Sequence, residues 1–317
     1  MTKRKIMLIT VCFAIFAISL LLSRQFFKSA GKRNMDVPAA GSEQIEDSKD
    51  TEEMTELEET ERTAASEGAA EPEKVENVTI GSEKYRGFIL DCVLHSEQEG
   101  DIHYNVYIPD SYDGTKEYAL YVTLPGYQGL YFQGVGENIR TEDFGFEAQK
   151  YNSEIIIVAP QLNDWGETSA DQAIELTEYL LENYKINPEK VYSNGYSGGG
   201  ETLALILGKK PELFTAALMC SSKWDGVYEP VTEAKTPVYF VIGESDEYYG
   251  SEPFKEAYQI LYELYAEQGL AKSEIDNLLV LDIKEKNYFA GTKVTYQHGG
   301  GYLFCRDEKI MGWLFGH

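Results

Sequence analysis

Four consecutive branched residues, Ile155-Ile156-Ile157-Val158, constrain this chain more than any other stretch. Neighbouring side chains of a strand point to opposite faces, so an unbroken apolar run is stable only where both faces of a sheet are covered. Strands are expected at 118–124, 154–159, 191–194, 214–220 and 237–242, and helices at 169–184, 200–207 and 252–268. Ala173, Ile174, Leu176, Thr177, Leu180 and Leu181 recur at helical spacing, as do Phe254, Ala257, Ile260, Leu261 and Leu264. Strands separated by helices require right-handed crossovers, which predicts an α/β fold with a mostly parallel central sheet and helices on both faces. Two earlier strands, 85–94 and 102–108, are separated only by a polar turn and predict an antiparallel N-terminal hairpin. A last short strand is expected at 293–296 and a closing helix at 307–315.

The alternating pattern begins near Val78, which divides the chain into segments 1–34, 35–77 and 78–317. In the first, Lys3, Arg4 and Lys5 precede an uncharged run over 6–22. No clean small-residue cleavage site follows closely, because Arg24 and Lys28 come before Ser29-Ala30-Gly31. The segment reads as a signal anchor, with a cleaved signal peptide as the alternative. The domain at 78–317 is then expected on the extracellular face of the membrane, or secreted if the segment is cleaved, with membrane contact through the N-terminal segment only. The second segment holds roughly half of the acidic excess. Its Glu52, Glu53, Glu56, Glu58, Glu59 and Glu61 repel one another and bury nothing, as in a disordered, solvated tether.

The net charge of −25 argues against nucleic acid as a partner, since phosphate binding needs clustered Lys and Arg. Beyond Cys12 there remain Cys92, Cys220 and Cys305, an odd number. They read as buried thiols, with one bridge left open. No C-x-x-C or H-x-x-x-H pair occurs, so no metal site is expected.

In open parallel sheets ligands bind beyond the carboxyl ends of the strands. There lies Gly195-Tyr196-Ser197-Gly198-Gly199, a G-x-S-x-G pattern between an expected strand and an expected helix. Such a turn holds a serine in strained backbone with its Oγ projecting, and the helix N-terminus behind it favours developing negative charge. Ser197 is the expected nucleophile. Of the four histidines, His95 and His103 flank the opening hairpin and read as exposed turn residues, and His317 is terminal. His298, in Gln297-His298-Gly299-Gly300-Gly301, follows the last expected strand and is the expected general base. Asp246, in Gly243-Glu244-Ser245-Asp246-Glu247, is the expected supporting acid, with Glu244, Glu247 and Asp282 as competitors. The oxyanion donors expected are the N–H of Gly198 and that of Tyr127, in the loop after the third strand. Trp165, Trp224 and Tyr248 sit in loops that open on the same face, where they are expected to form a wall for a sugar or an aromatic acid. Glu201 reads as a charge in the first turn of its helix.

These stretches, with Ile157-Val158-Ala159-Pro160, the segment 186–192 and Val241-Ile242-Gly243-Glu244-Ser245-Asp246, resemble the α/β-hydrolase superfamily over about 85–317. The likeness is to secreted esterases of the feruloyl-esterase and polyhydroxybutyrate-depolymerase type and to prolyl-oligopeptidase-type catalytic domains. Pro125 departs from the pattern, standing where many esterases carry His. The resemblance implies hydrolysis of a small-molecule or polysaccharide-linked carboxylic ester through an acyl-enzyme, with no cofactor. A serine peptidase of prolyl-oligopeptidase type is the alternative, and a non-catalytic binding module on the same fold is a further one.

Overall fold

Residues 77–317 are described by the structure, a computed structural model. The expected membrane-directed segment 1–34, and all of the expected tether 35–77 except its last residue, lie outside the described residues. Among the described residues no helix is long and apolar enough to cross a membrane.

Ten strands form one sheet: β1 (Val78–Thr79), β2 (Lys84–Tyr85), β3 (Phe88–Ser96), β4 (Gly100–Tyr107), β5 (Tyr118–Leu124), β6 (Ile155–Pro160), β7 (Ile186–Tyr196), β8 (Ala216–Cys220), β9 (Val238–Gly243) and β10 (Leu279–Lys284). Their order is β1-β3-β4-β6-β5-β7-β8-β9-β10, with β2 also on β3. From β6 onward all neighbours are parallel; β1, β3 and β4 pair antiparallel, and β4 meets β6 antiparallel. The fold is therefore the expected α/β arrangement with its antiparallel N-terminal hairpin.

The branched run explains the layers. Ile156 and Val158 face one core with Leu120, Val122 and Leu124 of β5. That core is closed by Ala173, Leu176 and Leu180 of the helix Glu167–Asn183, Leu203 and Ile206 of Gly198–Lys209, and Phe254 and Leu261 of Glu252–Glu267. Ile155, Ile157 and Ala159 face the other, with Tyr121, Phe144, and Ile310 and Met311 of the closing helix Glu308–Leu314. Alternation with period two thus feeds two apolar layers from one continuous run.

Three elements differ from expectation. No strand forms at 293–296; the last strand is β10, parallel to β9. Its residues follow directly on the helix Lys272–Leu278, so the apolar run across the junction reads as one segment and periodicity cannot divide it. The expected strand 85–94 is broken between β2 and β3 by a turn in which Arg86 and Gly87 both take positive φ. The strand expected at 191–194 begins earlier, at Ile186, so that Asn187-Pro188 lies inside β7. There β7 advances from Ile186 to Val191 while β5 advances from Tyr118 to Leu120, so the extra residues loop out into solvent. Proline has no N–H for the ladder, and an irregularity of this kind is where a strand tolerates it.

Ile157 is fully buried. Ile157→Ala should lower stability by about 2–5 kcal/mol in urea unfolding, whereas Tyr248→Ala, at a 74% exposed position, should stay within about 0.5 kcal/mol. Equal effects would contradict the two-layer packing.

Candidate active site

The strand order turns at β5: β6 pairs one of its edges and β7 the other. Crevices at such points, beyond the carboxyl ends, are where open α/β sheets bind ligands. Both the loop after β5 and Ser197 after β7 stand there.

Ser197 links β7 to the helix Gly198–Lys209 with φ 54° and ψ −125°, a conformation costly for any residue with a Cβ. Two glycines allow the turn to pack. A Cβ on Gly195 would lie 2.4 Å from Gly199 O, and one on Gly199 would lie 2.3 Å from Leu124 O. Backbone therefore meets backbone where no side chain fits. The strained residue is held on both sides: Ser197 N–H donates to Cys220 O at 3.0 Å, and Ser222 Oγ donates to Ser197 O at 2.6 Å. Its side chain remains at the floor of an open cleft.

His298 lies in the short 3-10 turn Gln297–Gly300, its Nε2 3.0 Å from Ser197 Oγ. Its Nδ1 is 3.0 and 3.1 Å from the two carboxylate oxygens of Asp246. With Nδ1–H directed at the carboxylate, Nε2 presents its lone pair to the serine hydroxyl. The loop is fixed by its backbone: His298 N–H donates to Glu247 Oε2 at 3.0 Å, and Tyr196 OH donates to His298 O at 2.7 Å. Tyr196 also stacks beneath the imidazole, centroids 5.8 Å apart.

Asp246 is buried and accepts the N–H groups of Tyr248 and Tyr249 at 3.0 and 2.9 Å. Burial alone would raise its pKa; the His298 hydrogen bond and the two N–H groups outweigh burial and hold the carboxyl below its ordinary value. Among the competitors, Glu247 binds the His298 backbone and Glu244 is exposed. Asp282 is engaged at β10 with Lys284 and Lys309.

The cleft above Ser197 has a volume of about 370 Å³ and is lined by Tyr127, Trp165, Tyr248, Tyr249, Tyr296 and His298. Tyr127 opens a 3-10 turn and Gly198 opens a helix, so neither N–H has an acceptor within its own element. The loop carrying Tyr127 packs on Ser197, since a Cβ on Gly126 would lie 3.1 Å from Ser197 Cβ. Trp165 covers Gly198, where a Cβ would come within 2.6 Å of the indole. Tyr248 stands at the rim, its ring 5.3 Å from that of His298.

Trp224 does not join this wall. It is buried between Tyr228 and Phe240, with its Nε1 donating to Gly226 O, because its loop folds back on the core after β8. His95 and His103 are strand residues, not turn residues: His95 pairs with Asp101, and His103 stacks on Tyr131. Glu201 is more than a helix charge. Buried beside the site, it accepts the hydroxyl of Tyr249 and pairs with Lys223 at 3.2 Å. Cys92, Cys220 and Cys305 are free and buried. Tyr296 and the exposed Phe132, whose ring lies 5.6 Å from Tyr127, also belong to the cleft's surroundings; nothing in their spacing marks them in the sequence.

The model of the prolyl oligopeptidase family matches residues 161–262, which include β7, Ser197 and Asp246. Among solved structures, a thermostable esterase aligns at a TM-score of 0.59 and 20% identity, over 73% of this chain and 63% of its own. Oligopeptidase B from Leishmania major aligns at 0.47 and 12%, over 75% of this chain and 37% of its own. A lipase/esterase from Lactobacillus plantarum aligns at 0.44 and 13%, over 70% of this chain and 97% of its own. The chain thus spans less than two thirds of the thermostable esterase's length. No curated protein matches it.

The lowered Asp246 pKa has a definite thermodynamic sign. Its stabilisation is present above the ordinary carboxyl value of 3.8 and is lost as pH falls through the folded-state value. The stability deficit of Asp246→Asn should therefore be largest near neutrality and shrink on acidification, as read from urea midpoints over a pH series. A deficit independent of pH would contradict the assignment.

Proposed function

We propose that this chain, whose fold is that of the α/β hydrolases, is a serine hydrolase cleaving a carboxylic ester through an acyl-enzyme. The observation that carries the reading is the continuous run of contacts from Ser197 Oγ to His298 Nε2 and from His298 Nδ1 to Asp246. In the first step Ser197 Oγ attacks the ester carbon while its proton passes to His298 Nε2. Negative charge gathers on the former carbonyl oxygen, facing the N–H groups of Tyr127 and Gly198. As the tetrahedral species collapses, the C–O bond to the alcohol breaks, and the alcohol leaves with the proton returned from His298. Water then repeats the sequence on the acyl-serine, releasing the acid and restoring the serine hydroxyl. Asp246 stays ionised throughout and stabilises the imidazolium.

An ester asks less of such a site than an amide, because its carbonyl is less stabilised by resonance and an alkoxide is a far better leaving group than an amide anion. The aromatic surfaces of Tyr127, Trp165 and Tyr248 suit a flat or sugar-bearing substrate. The prolyl oligopeptidase match over 161–262 is what favours the second reading, a serine peptidase. For location, the basic residues and apolar run at the N-terminus support an anchored domain on the outer face of the membrane.

Labelling of the full-length chain with a fluorophosphonate probe, with the site read by peptide mass spectrometry, tests this. Modification is expected at Ser197 and should disappear in His298→Ala. Ser197→Ala should lower kcat/KM for ester hydrolysis by at least about 10³-fold. Absence of labelling in folded protein would favour a binding module. Faster turnover of proline-containing peptides than of acetyl or feruloyl esters would favour the peptidase.

A further inference from the structure

Beside the nucleophile cleft lies a second cavity of about 260 Å³, and the two share Gln128, Tyr196 and Tyr296. Glu142 lines it, directly after the short helix Glu137–Thr141. Its Oε1 accepts the N–H of Gly126 at 2.8 Å. Gly126 immediately precedes Tyr127 and packs on Ser197 Cβ. This hydrogen bond therefore ties the loop after β5 to the segment that follows the short helix.

Glu142 is unlike the acids around it. Asp143 pairs with Arg86 and Arg306, and Glu147 pairs with Lys150 and Arg306. Among the described residues no ion pair reaches Glu142, which stands half-buried in the cavity wall. We propose that Glu142 is a positioning residue for the oxyanion-side loop, its carboxyl holding Gly126 N–H between the second cavity and the nucleophile cleft. The inference rests on the serine-hydrolase reading above.

The neutral form fits the geometry: the carbonyl oxygen accepts from Gly126 and the hydroxyl faces the cavity. Burial pushes the carboxyl up to about 8, only partly offset by the Gly126 N–H. Tyr121 and Tyr196 from the strands beneath, with Cys220 and Cys305, also feel Glu142. Burial holds all four above their ordinary values, so they stay neutral as Glu142 ionises. Asp143 on its own segment, with Tyr296 and Tyr302 across the cavity, completes the set. The sign follows directly. Below the raised value the carboxyl is neutral and the oxyanion unopposed; above it a second negative charge stands beside the developing one.

The test is kcat/KM for p-nitrophenyl acetate across neutral to alkaline pH, with fluorophosphonate labelling alongside. It uses the full-length wild type, Glu142→Gln and Glu142→Ala. Glutamine keeps an acceptor for Gly126 and cannot ionise. Wild-type activity should fall through about pH 8, leaving about a tenth at about pH 9, whereas Glu142→Gln should stay level and exceed it about tenfold there. At about pH 7 the two should agree within about threefold, and Glu142→Ala, with no acceptor, should be about tenfold lower throughout. Superimposable wild-type and glutamine profiles, with all three proteins labelled at Ser197, would overturn the assignment to Glu142 alone. So would an alanine variant that loses thermal stability while its folded fraction keeps wild-type kcat/KM. Absence of labelling in every protein would overturn the serine-hydrolase reading and this inference with it.

Discussion

The site depends on a contact between backbones, at the turn where β7 becomes the helix Gly198–Lys209. Gly199 lies against the carbonyl of Leu124, and Gly195 against that of Gly199, at separations no side chain permits. That contact joins the end of β5 to the end of β7, and so brings the Tyr127 loop and Ser197 together. The strained φ of Ser197 is sustained because β8 supplies Cys220 O and the loop after it supplies Ser222 Oγ. Strain of this kind persists only where neighbouring elements over-determine the backbone. Here the sheet does so, and Ser197 inherits its rigidity.

The histidine is held by a different means. His298 lies 101 positions from Ser197 along the chain, so no local structure can align them. Its loop contains no strand; Tyr196 and Glu247 fix it instead, through the carbonyl and the N–H of His298 itself. Tyr196 precedes Ser197, and Glu247 follows Asp246. The residues flanking Ser197 and Asp246 therefore fasten the loop of His298. Three segments distant in sequence become one unit, with the side chains left free for chemistry.

Much of this was legible beforehand because it rests on periodicity and glycine. The branched run of β6, the amphipathic helices and the G-x-S-x-G turn are local signals, and each led to an element that the fold contains. Ser197 and Asp246 could be singled out because strand ends mark the crevice, and His298 because histidines are few, although the strand expected before it does not form. What escaped was non-local. The strand β10 merges in sequence with the helix before it. The burial of Trp224 depends on how its loop folds back on Phe240. Glu201 and Tyr249 meet across 48 positions, and neither residue alone announces the other. Aromatic residues in loops reveal their class but not whether they turn toward the cleft or the core.

The same distinction separates two glutamates beside the cleft of Ser197, Glu201 and Glu142. A site that gathers negative charge on a reacting oxygen is sensitive to any carboxylate close by. Glu201 is buried, which raises its pKa, and it is met by the Tyr249 hydroxyl and by Lys223, which also pairs with Asp225. Glu142 has only a backbone N–H, and burial acts on it almost unopposed. The two acids beside the site are thus held by different means, one by side-chain partners and the other by a backbone N–H.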